Sequence, residues 1–257
     1  MIDFAQPKDT EEIRKLWDIA FPEEPLFNDW FFENYFKAEN CLVLKKEGKI
    51  SAMAQLLPYE IQGAGKVSYI YGAATDPSYR RQGLMRRLLE KSFELDRQRG
   101  AVASILIPQN KELFDFYGKL GYKTRFYVTA EKTKPCDTTG YSLKRAENGD
   151  ISFMDSLYKK NQNNYIIRDC NYWEIQLEMF KTLGGECYIL LKDNKPVAYG
   201  FYTDNYIQEG MGEVNTLAYL AGADKYVSLA DKNNTPIGMA YPYGDFPQRL
   251  YLNLMFN

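Results

Sequence analysis

Histidine is missing from all 257 residues of this chain. Its absence excludes every histidine-based catalytic triad, every histidine general base and every histidine metal ligand. Cysteine is nearly as scarce. Cys41, Cys136, Cys170 and Cys187 lie far apart with no Cys-x-x-Cys pair, so free thiols are expected rather than disulfides or a zinc site, and no metal is expected. No stretch of about eighteen apolar residues is present, and Met1-Ile2-Asp3 opens a mixed, acidic segment unlike a signal peptide. The expected location is cytoplasmic, with no membrane partner. An excess of one charge sign is also lacking: 32 basic residues face 34 acidic ones, and the net charge of −2 gives nucleic acid no electrostatic hold.

What remains is an ordinary globular composition, 45% hydrophobic and 26% charged, enough for a sizeable core in one large domain or two. Ile2 to Ala5 suggests a strand, and Asp9 or Thr10 can cap a helix whose apolar face holds Ile13, Trp17, Ile19 and Ala20. Pro22 and Pro25 interrupt it. The aromatic run Phe27 to Phe36 reads as a core-facing helix with an acidic edge, while Glu23, Glu24, Asp29 and Glu33 hint at a cationic ligand. Cys41 to Lys46 and Lys49 to Gln62 form a hairpin around Glu47-Gly48, leading to a strand from Gly65 to Thr75.

Tyr69 to Tyr122 is the most informative stretch, reading as strand, glycine-bearing turn, helix, strand and helix. Asp76-Pro77 stops the first strand. Leu84, Met85, Leu88, Leu89, Phe93 and Leu95 recur at helical spacing and predict a helix from about Arg81 to Gly100. Gly83 then lies in the first turn, where N–H groups lack intrahelical partners and the dipole adds roughly half a positive charge, a place suited to phosphate. Arg80, Arg81, Arg86 and Arg87 add charge and donors, although the same four residues would also suit a solvated helix face. Glycine there costs roughly 1 kcal/mol in propensity but lets a ligand approach the backbone. Farther on, Leu113, Phe116, Tyr117 and Leu120 share a helical face, so Tyr117 reads either as a core tyrosine with its hydroxyl at the rim or as a functional phenol.

The segment Arg80-Arg81-Gln82-Gly83-Leu84-Met85, with Pro77 upstream, resembles motif A of the GNAT superfamily of acyl-CoA N-acyltransferases, whose signature is Gln/Arg-x-x-Gly-x-Gly/Ala. Asn110, Tyr117 and Leu120-Gly121-Tyr122 resemble that family's Asn…Tyr-x-x-Leu-Gly-Phe/Tyr segment. Met85 departs from the usual small residue. The resemblance implies an α/β fold, a mixed sheet with flanking helices, and acetyl-CoA as cosubstrate. It implies that Arg80, Arg81, Gln82, Gly83, Leu84, Met85 and Asn110 hold the cofactor, and that the backbone of Ala73, Ala74 and Thr75 pairs with its pantetheine arm. It further implies that Tyr117 protonates the departing thiolate. A phenol near pKa 10 can donate to a thiolate whose conjugate acid lies near about 8.5. The attacking amine raises a second problem, because at a pKa of about 10.4 it is neutral about once in 2,500 at pH 7, equivalent to about 4.6 kcal/mol of barrier. Without histidine, the base is left open among a carboxylate such as Glu60, a water chain and the chain terminus.

The polar, turn-rich segment 132–140 is the expected boundary between an N-terminal catalytic domain, residues 1–131, and a C-terminal domain, residues 140–257. The second half repeats the opening order: a strand at 141–145, a helix after Asp150, a helix at 172–183, a hairpin around Asp193-Asn194-Lys195, and strands at 214–220 and 249–256. No Gln/Arg-x-x-Gly-x-Gly/Ala follows residue 140, so the expectation is tandem GNAT-like domains whose second copy is degenerate and binds no CoA. Such a pair, with a bulky residue at Met85, resembles the enhanced intracellular survival class of acetyltransferases. That likeness implies the α-carboxylate of Asn257 as the base. The activity implied is acetyl transfer from acetyl-CoA to a small-molecule or peptide amine by direct attack. A homo-oligomer is compatible with the sequence. Two other readings stay open: an inactive acyl-CoA-binding regulator, and an aminoacyl transferase on the same scaffold.

Overall fold

The computed structural model describes residues 1–160, 162–229 and 235–253. In chain order they form β1 (Ile2–Phe4), α1 (Thr10–Ala20), α2 (Pro25–Asn34), β2 (Cys41–Lys46), β3 (Lys49–Ile61), β4 (Gly65–Thr75), α3 (Leu84–Gln98), β5 (Ala103–Leu106) and α4 (Lys111–Lys119). The chain continues through β6 (Lys123–Lys132), β7 (Tyr141–Arg145), α5 (Ile151–Lys159), α6 (Cys170–Thr182), β8 (Glu186–Lys192), β9 (Lys195–Thr203), β10 (Tyr206–Gly212), α7 (Val214–Leu220), β11 (Lys225–Leu229) and β12 (Thr235–Pro242).

Two compact units result. One comprises Met1–Lys123 with Met239–Pro247, the other Thr124–Gly238 with Gln248–Asn257. The expected boundary at 132–140 therefore falls inside the second unit. The physical reason is β6, which precedes that segment and pairs antiparallel with β11, from Lys132↔Lys225 to Val128↔Leu229.

In the first unit the strand order is β1-β2-β3-β4-β5-β12, and every neighbouring pair is antiparallel except β4 with β5. The β2–β3 hairpin turns on Glu47 and Gly48, both at positive φ as a tight two-residue connection requires. Alternation then sorts the side chains. Leu42, Leu44, Ala52, Ala54, Leu56 and Ile70 form one core with Leu84, Leu88, Leu89 and Phe93 of α3. On α1, Ile13, Leu16 and Trp17 are buried, whereas Ile19 points outward at 55% exposure, because the buried stripe is narrower than the run of apolar residues.

The second unit orders its strands β7-β8-β9-β10-β11-β6, again with a single parallel junction, β10 with β11. Counted from β1 and from β7, each unit thus places its parallel pair at strands four and five. Residues 214–220, expected as a strand, are helical. Val214, Leu217 and Ala218 are its buried residues, a three-and-four spacing masked in sequence by β-branched Val214 and Thr216. β6, β10, β11 and β12 escaped the sequence reading, although Asp204 and Asn205, both at positive φ, supply the turn between β9 and β10. Of the strand expected at 249–256, Leu250 makes a single bridge to Phe126, and residues 254–256 lie outside the described residues.

Beneath β10 the second unit buries an ion pair completely. Arg168 Nη1 and Nη2 donate to Glu209 Oε1 and Oε2 at 2.5 and 2.8 Å, and both side chains have no exposure. The remaining acceptor capacity of Glu209 is met by the hydroxyls of Tyr199 (3.2 Å) and Tyr251 (2.9 Å), and Arg168 Nη2 also donates to the Asn253 carbonyl at 2.6 Å. Removing one member would strand a buried charge. Arg168→Met is expected to lower unfolding free energy by about 3–5 kcal/mol in urea titrations, and Arg168→Met/Glu209→Gln to recover part of that loss.

Candidate active site

β4 pairs with β3 along its length, from Gly65↔Ile61 to Thr75↔Ala52. Its parallel pairing with β5 covers Val67, Ser68 and Tyr69 only. Beyond Tyr69 the two strands part, leaving one backbone edge of residues 70–75 without a β5 partner. The parting coincides with a β-bulge: Gly72 and Ala73 together oppose Ala54, while Tyr71 pairs with Gln55 and Ala74 with Met53. Gly72 takes φ 56, a conformation cheap only for glycine. A lone glycine inside a strand pattern is a bulge signal, and it went unread in the sequence.

The strand ends at Asp76, whose side chain accepts from Ser78 N–H at 2.8 Å. Arg80 is extended and returns its Nε–H to the Thr75 carbonyl at 3.2 Å, so this arginine braces the end of the strand. Arg81 (φ 63) and Gly83 (φ 72) are both left-handed. The helix begins at Leu84, with Gly83 as its N-cap, rather than at Arg81, because two positive-φ residues cannot be helical. It ends at Gln98, just before Gly100 at φ 75. Arg87 N–H bonds to the Gly83 carbonyl at 3.1 Å, which makes it the first amide of α3 with an intrahelical acceptor; those of Leu84, Met85 and Arg86 face out of the helix start. A Cβ on Gly83, the N-cap beside these amides, would meet nothing within 4 Å. Gln82 is fixed by Lys46, whose Nζ donates to its Oε1 at 2.8 Å. Arg86 reaches Glu90 at 3.6 Å, an exposed pair worth a few tenths of a kcal/mol, about 0.3–0.5.

Tyr117, on α4, is 8% exposed and packs in the same cluster as Leu84 and Leu88, with Ala73 and Met85 against it. Ala73 of β4, Leu84 and Met85 of α3 and Tyr117 of α4 thus belong to one hydrophobic cluster. Burial alone pushes the Tyr117 phenol up to about 12. It stays protonated throughout the working range of an enzyme, as a proton donor must. Full transfer to a thiolate of pKa about 8.5 would be uphill by roughly 5 kcal/mol, a gap that narrows when the same apolar walls desolvate the thiolate. Asn110 serves the structure, as the N-cap of α4, with its Oδ1 accepting Leu113 N–H at 3.0 Å. Leu120-Gly121-Tyr122 is structural as well. Gly121, at φ 96, lies under Tyr241, and the Tyr122 hydroxyl hydrogen-bonds to Ser104 at 2.7 Å.

Glu60 stands opposite Lys66 at the hairpin end of β3, five residues from Tyr71 along β4, roughly 17 Å away. It is too remote to serve the bulge. Asp29 forms an ion pair with Arg14 at 2.7 Å, so it is not an unneutralised charge awaiting a cation. Asn257 lies outside the described residues. Among the described residues no three Cys, Asp or Glu side chains cluster as metal ligands would, and no helix is long and apolar enough to cross a membrane.

The second unit repeats the strand geometry with different chemistry. β10 pairs with β11 only at Tyr206 and Ile207 before its own bulge, and Gly212 (φ 88) precedes α7. At that helix start stands Glu213, accepting the Tyr141 hydroxyl at 2.6 Å, where the first unit has arginines. Asn215 bonds both the N–H and the carbonyl of Lys134, at 2.9 and 3.0 Å, and with Glu213 it lines a cavity of about 340 Å³ at this helix start.

In the first unit, then, a strand leaves its parallel neighbour and runs into a glycine-capped, arginine-bearing helix start, and a buried tyrosine lies in the core cluster that α3 joins. Residues 1–125 match the acetyltransferase (GNAT) domain family. No curated protein matches the chain in sequence. Among solved structures it resembles a probable N-acyltransferase from Enterococcus faecalis (TM-score 0.71, 15% identity, 94% of this chain and 72% of that one). It also resembles Eis1 from Mycobacterium abscessus (0.65, 12%, 94% and 73%). A tandem GNAT protein from the clavulanic acid biosynthesis pathway is similar along its whole length (0.60, 13%, 96% and 100%). At these identities the likeness establishes the fold.

α3 is tied to β4 by Asp96, fully buried, whose carboxylate accepts from Ser68 Oγ at 2.6 Å and the Tyr243 hydroxyl at 2.7 Å. Burial raises its pKa, against the pull of those two hydrogen bonds. A carboxyl raised on folding binds its proton more tightly in the native state, so its contribution is greatest at low pH and is lost as pH rises through the folded value. Relative to Asp96→Asn, the wild type is expected to gain stability in urea titrations between pH 7.5 and pH 4.5; a difference constant across that range would contradict the shift.

Proposed function

We propose that this protein transfers an acetyl group from acetyl-CoA to an amine, and that residues 70–85 hold the donor. The observation that carries this reading is the conjunction of an open β4 edge with an open, amide-lined helix start four residues after the Arg80 brace begins. An extended arm bearing amides can add to such an edge as a strand would. A pyrophosphate fits amides at the positive end of a fifteen-residue helix, with Arg81, Arg86 and Arg87 nearby.

Chemistry then needs little from the protein beyond placement. The amine nitrogen bonds to the thioester carbonyl carbon, the carbon–sulfur bond breaks, and Tyr117 holds a proton for the sulfur. The amine's own proton is assigned to the α-carboxylate of Asn257, the candidate that the tandem resemblance supplies. The second unit takes no CoA in this scheme, since Glu213 and the Lys134–Asn215 bonds stand at its helix start. The acceptor is a small-molecule or peptide amine.

Calorimetric titration with acetyl-CoA tests the donor site. Micromolar binding by the wild type and its loss in Gly83→Asp are expected, because a carboxylate would stand beside the α3 amides; equal binding by both would refute the site. Tyr117→Phe is expected to lower the rate of amine-dependent thiol release by about 10²-fold while leaving acetyl-CoA affinity unchanged. The wild-type pH–rate profile should show no basic limb from Tyr117 below pH 10, since its phenol is raised to about 12. Adding one glycine after Asn257 displaces the terminal carboxylate by about 3.5 Å, and a fall of about 10²-fold in kcat is expected; full activity would remove Asn257 from the scheme.

A further inference from the structure

We propose that Trp17 is a positioning residue for the donor strand: its indole supports the Gly72–Ala73 bulge from beneath and so keeps the outer half of β4 apart from β5. The inference rests on the reading that this half of β4 carries the acyl donor. A Cβ on Gly72 would overlap Cζ3 and Cη2 of Trp17, so the six-membered ring occupies the volume a side chain would need. Positive φ and missing Cβ thus both demand glycine at this one point.

The indole is fixed on every side that the bulge does not cover. It is 2% exposed. Its Nε1–H donates to Asn28 Oδ1 at 2.7 Å, and Asn28 Nδ2 donates in turn to the Phe21 carbonyl at 2.8 Å. Its ring stacks on Phe31 with centroids 4.8 Å apart and tilts against Tyr71 at 5.6 Å. Asn28 and Phe31 belong to α2, and Tyr71 is the residue just before the bulge. One side chain of α1 therefore locks two helices to the donor strand.

The consequence follows from strand geometry. A bulge inserts one residue, and losing it by a one-residue slip would turn each side chain from Ala73 to Thr75 to the opposite face. The Trp17 ring occupies the space on the Cβ side of Gly72, and a smaller side chain there would leave that slip unopposed.

Five chains decide the matter: wild type, Gly72→Ala, Trp17→Leu, Trp17→Phe and Gly72→Ala/Trp17→Leu, each melted to check folding, then titrated with acetyl-CoA and assayed for thiol release. Gly72→Ala is expected to weaken acetyl-CoA binding at least tenfold. Adding Trp17→Leu, which clears the overlap, is expected to restore affinity at least threefold, with the residual strain of alanine at positive φ keeping the recovery partial. A merely structural tryptophan predicts additive losses, so a double variant no better than Gly72→Ala overturns the proposal. If Gly72→Ala does not fold, Trp17→Phe decides, since it keeps the stack on Phe31 but withdraws the outer ring atoms from Gly72. It should raise KM for acetyl-CoA at least fivefold with kcat little changed, while the melting temperature falls because the Asn28 Oδ1 bond and part of the ring volume are lost; an unchanged KM in the folded variant overturns the proposal. Failure of the wild type to bind acetyl-CoA is a distinct result that removes the donor site itself, and the inference with it.

Discussion

A strand inside a sheet normally satisfies its backbone on both edges, and the first unit is built so that β4 does not. From residue 70 onward its β3 edge is paired while its other edge has no partner in β5, and a backbone group left unpaired and dry would cost about 1–3 kcal/mol. Closing the gap would be the cheaper structure for the strand alone. The surrounding contacts keep it open. Trp17 fills the bulge, Arg80 holds the carbonyl of Thr75, and Asp96 fixes Ser68 just where the pairing with β5 gives out. The same stretch then delivers the chain into the open amides of α3, so strand edge and helix start are consequences of one divergence.

The two units show how little of the fold such a site needs. Each unit has one parallel junction in the same place, each has a bulge on the strand that diverges, and each has a glycine at positive φ between that bulge and the next helix. Yet α3 has fifteen residues with arginines at its start, and α7 has seven with Glu213 there. In the second unit the polar investment lies instead in the Arg168–Glu209 pair, which carries Tyr251 and the Asn253 carbonyl with it. A buried pair of this kind adds little net stability over apolar packing, but it admits only one arrangement of its partners. Architecture is common to both units, and what differs is the side chains at the helix start, arginines in one and Glu213 in the other.

Much of the first unit was legible because its signals are local. Leu84, Leu88, Leu89 and Phe93 announce α3 by spacing, Glu47-Gly48 announces a hairpin, and Arg80-x-x-Gly83 followed by an apolar helix announces a phosphate cradle. The errors have local causes as well. Two left-handed residues, Arg81 and Gly83, delayed the helix start by three positions, and Val214 and Thr216 disguised a helix as a strand. Asn110, expected to hold the cofactor, also caps α4 through its Oδ1, a role that the sequence reading did not include.

The sequence by itself determined the mixed α/β class, the order of elements from β1 to α4, the exclusion of histidine chemistry and the placing of a glycine where α3 begins. Each depends on periodicity, composition or turn residues within a few positions of one another. Only tertiary structure decided that Gly72 makes a bulge under Trp17, that Ser68, Asp96 and Tyr243 share one carboxylate, and that residues 239–247 join the first unit while β6 joins the second. These contacts bring together residues from 28 to 147 positions apart, or compete with equally good local alternatives, and no short-range preference can choose among them.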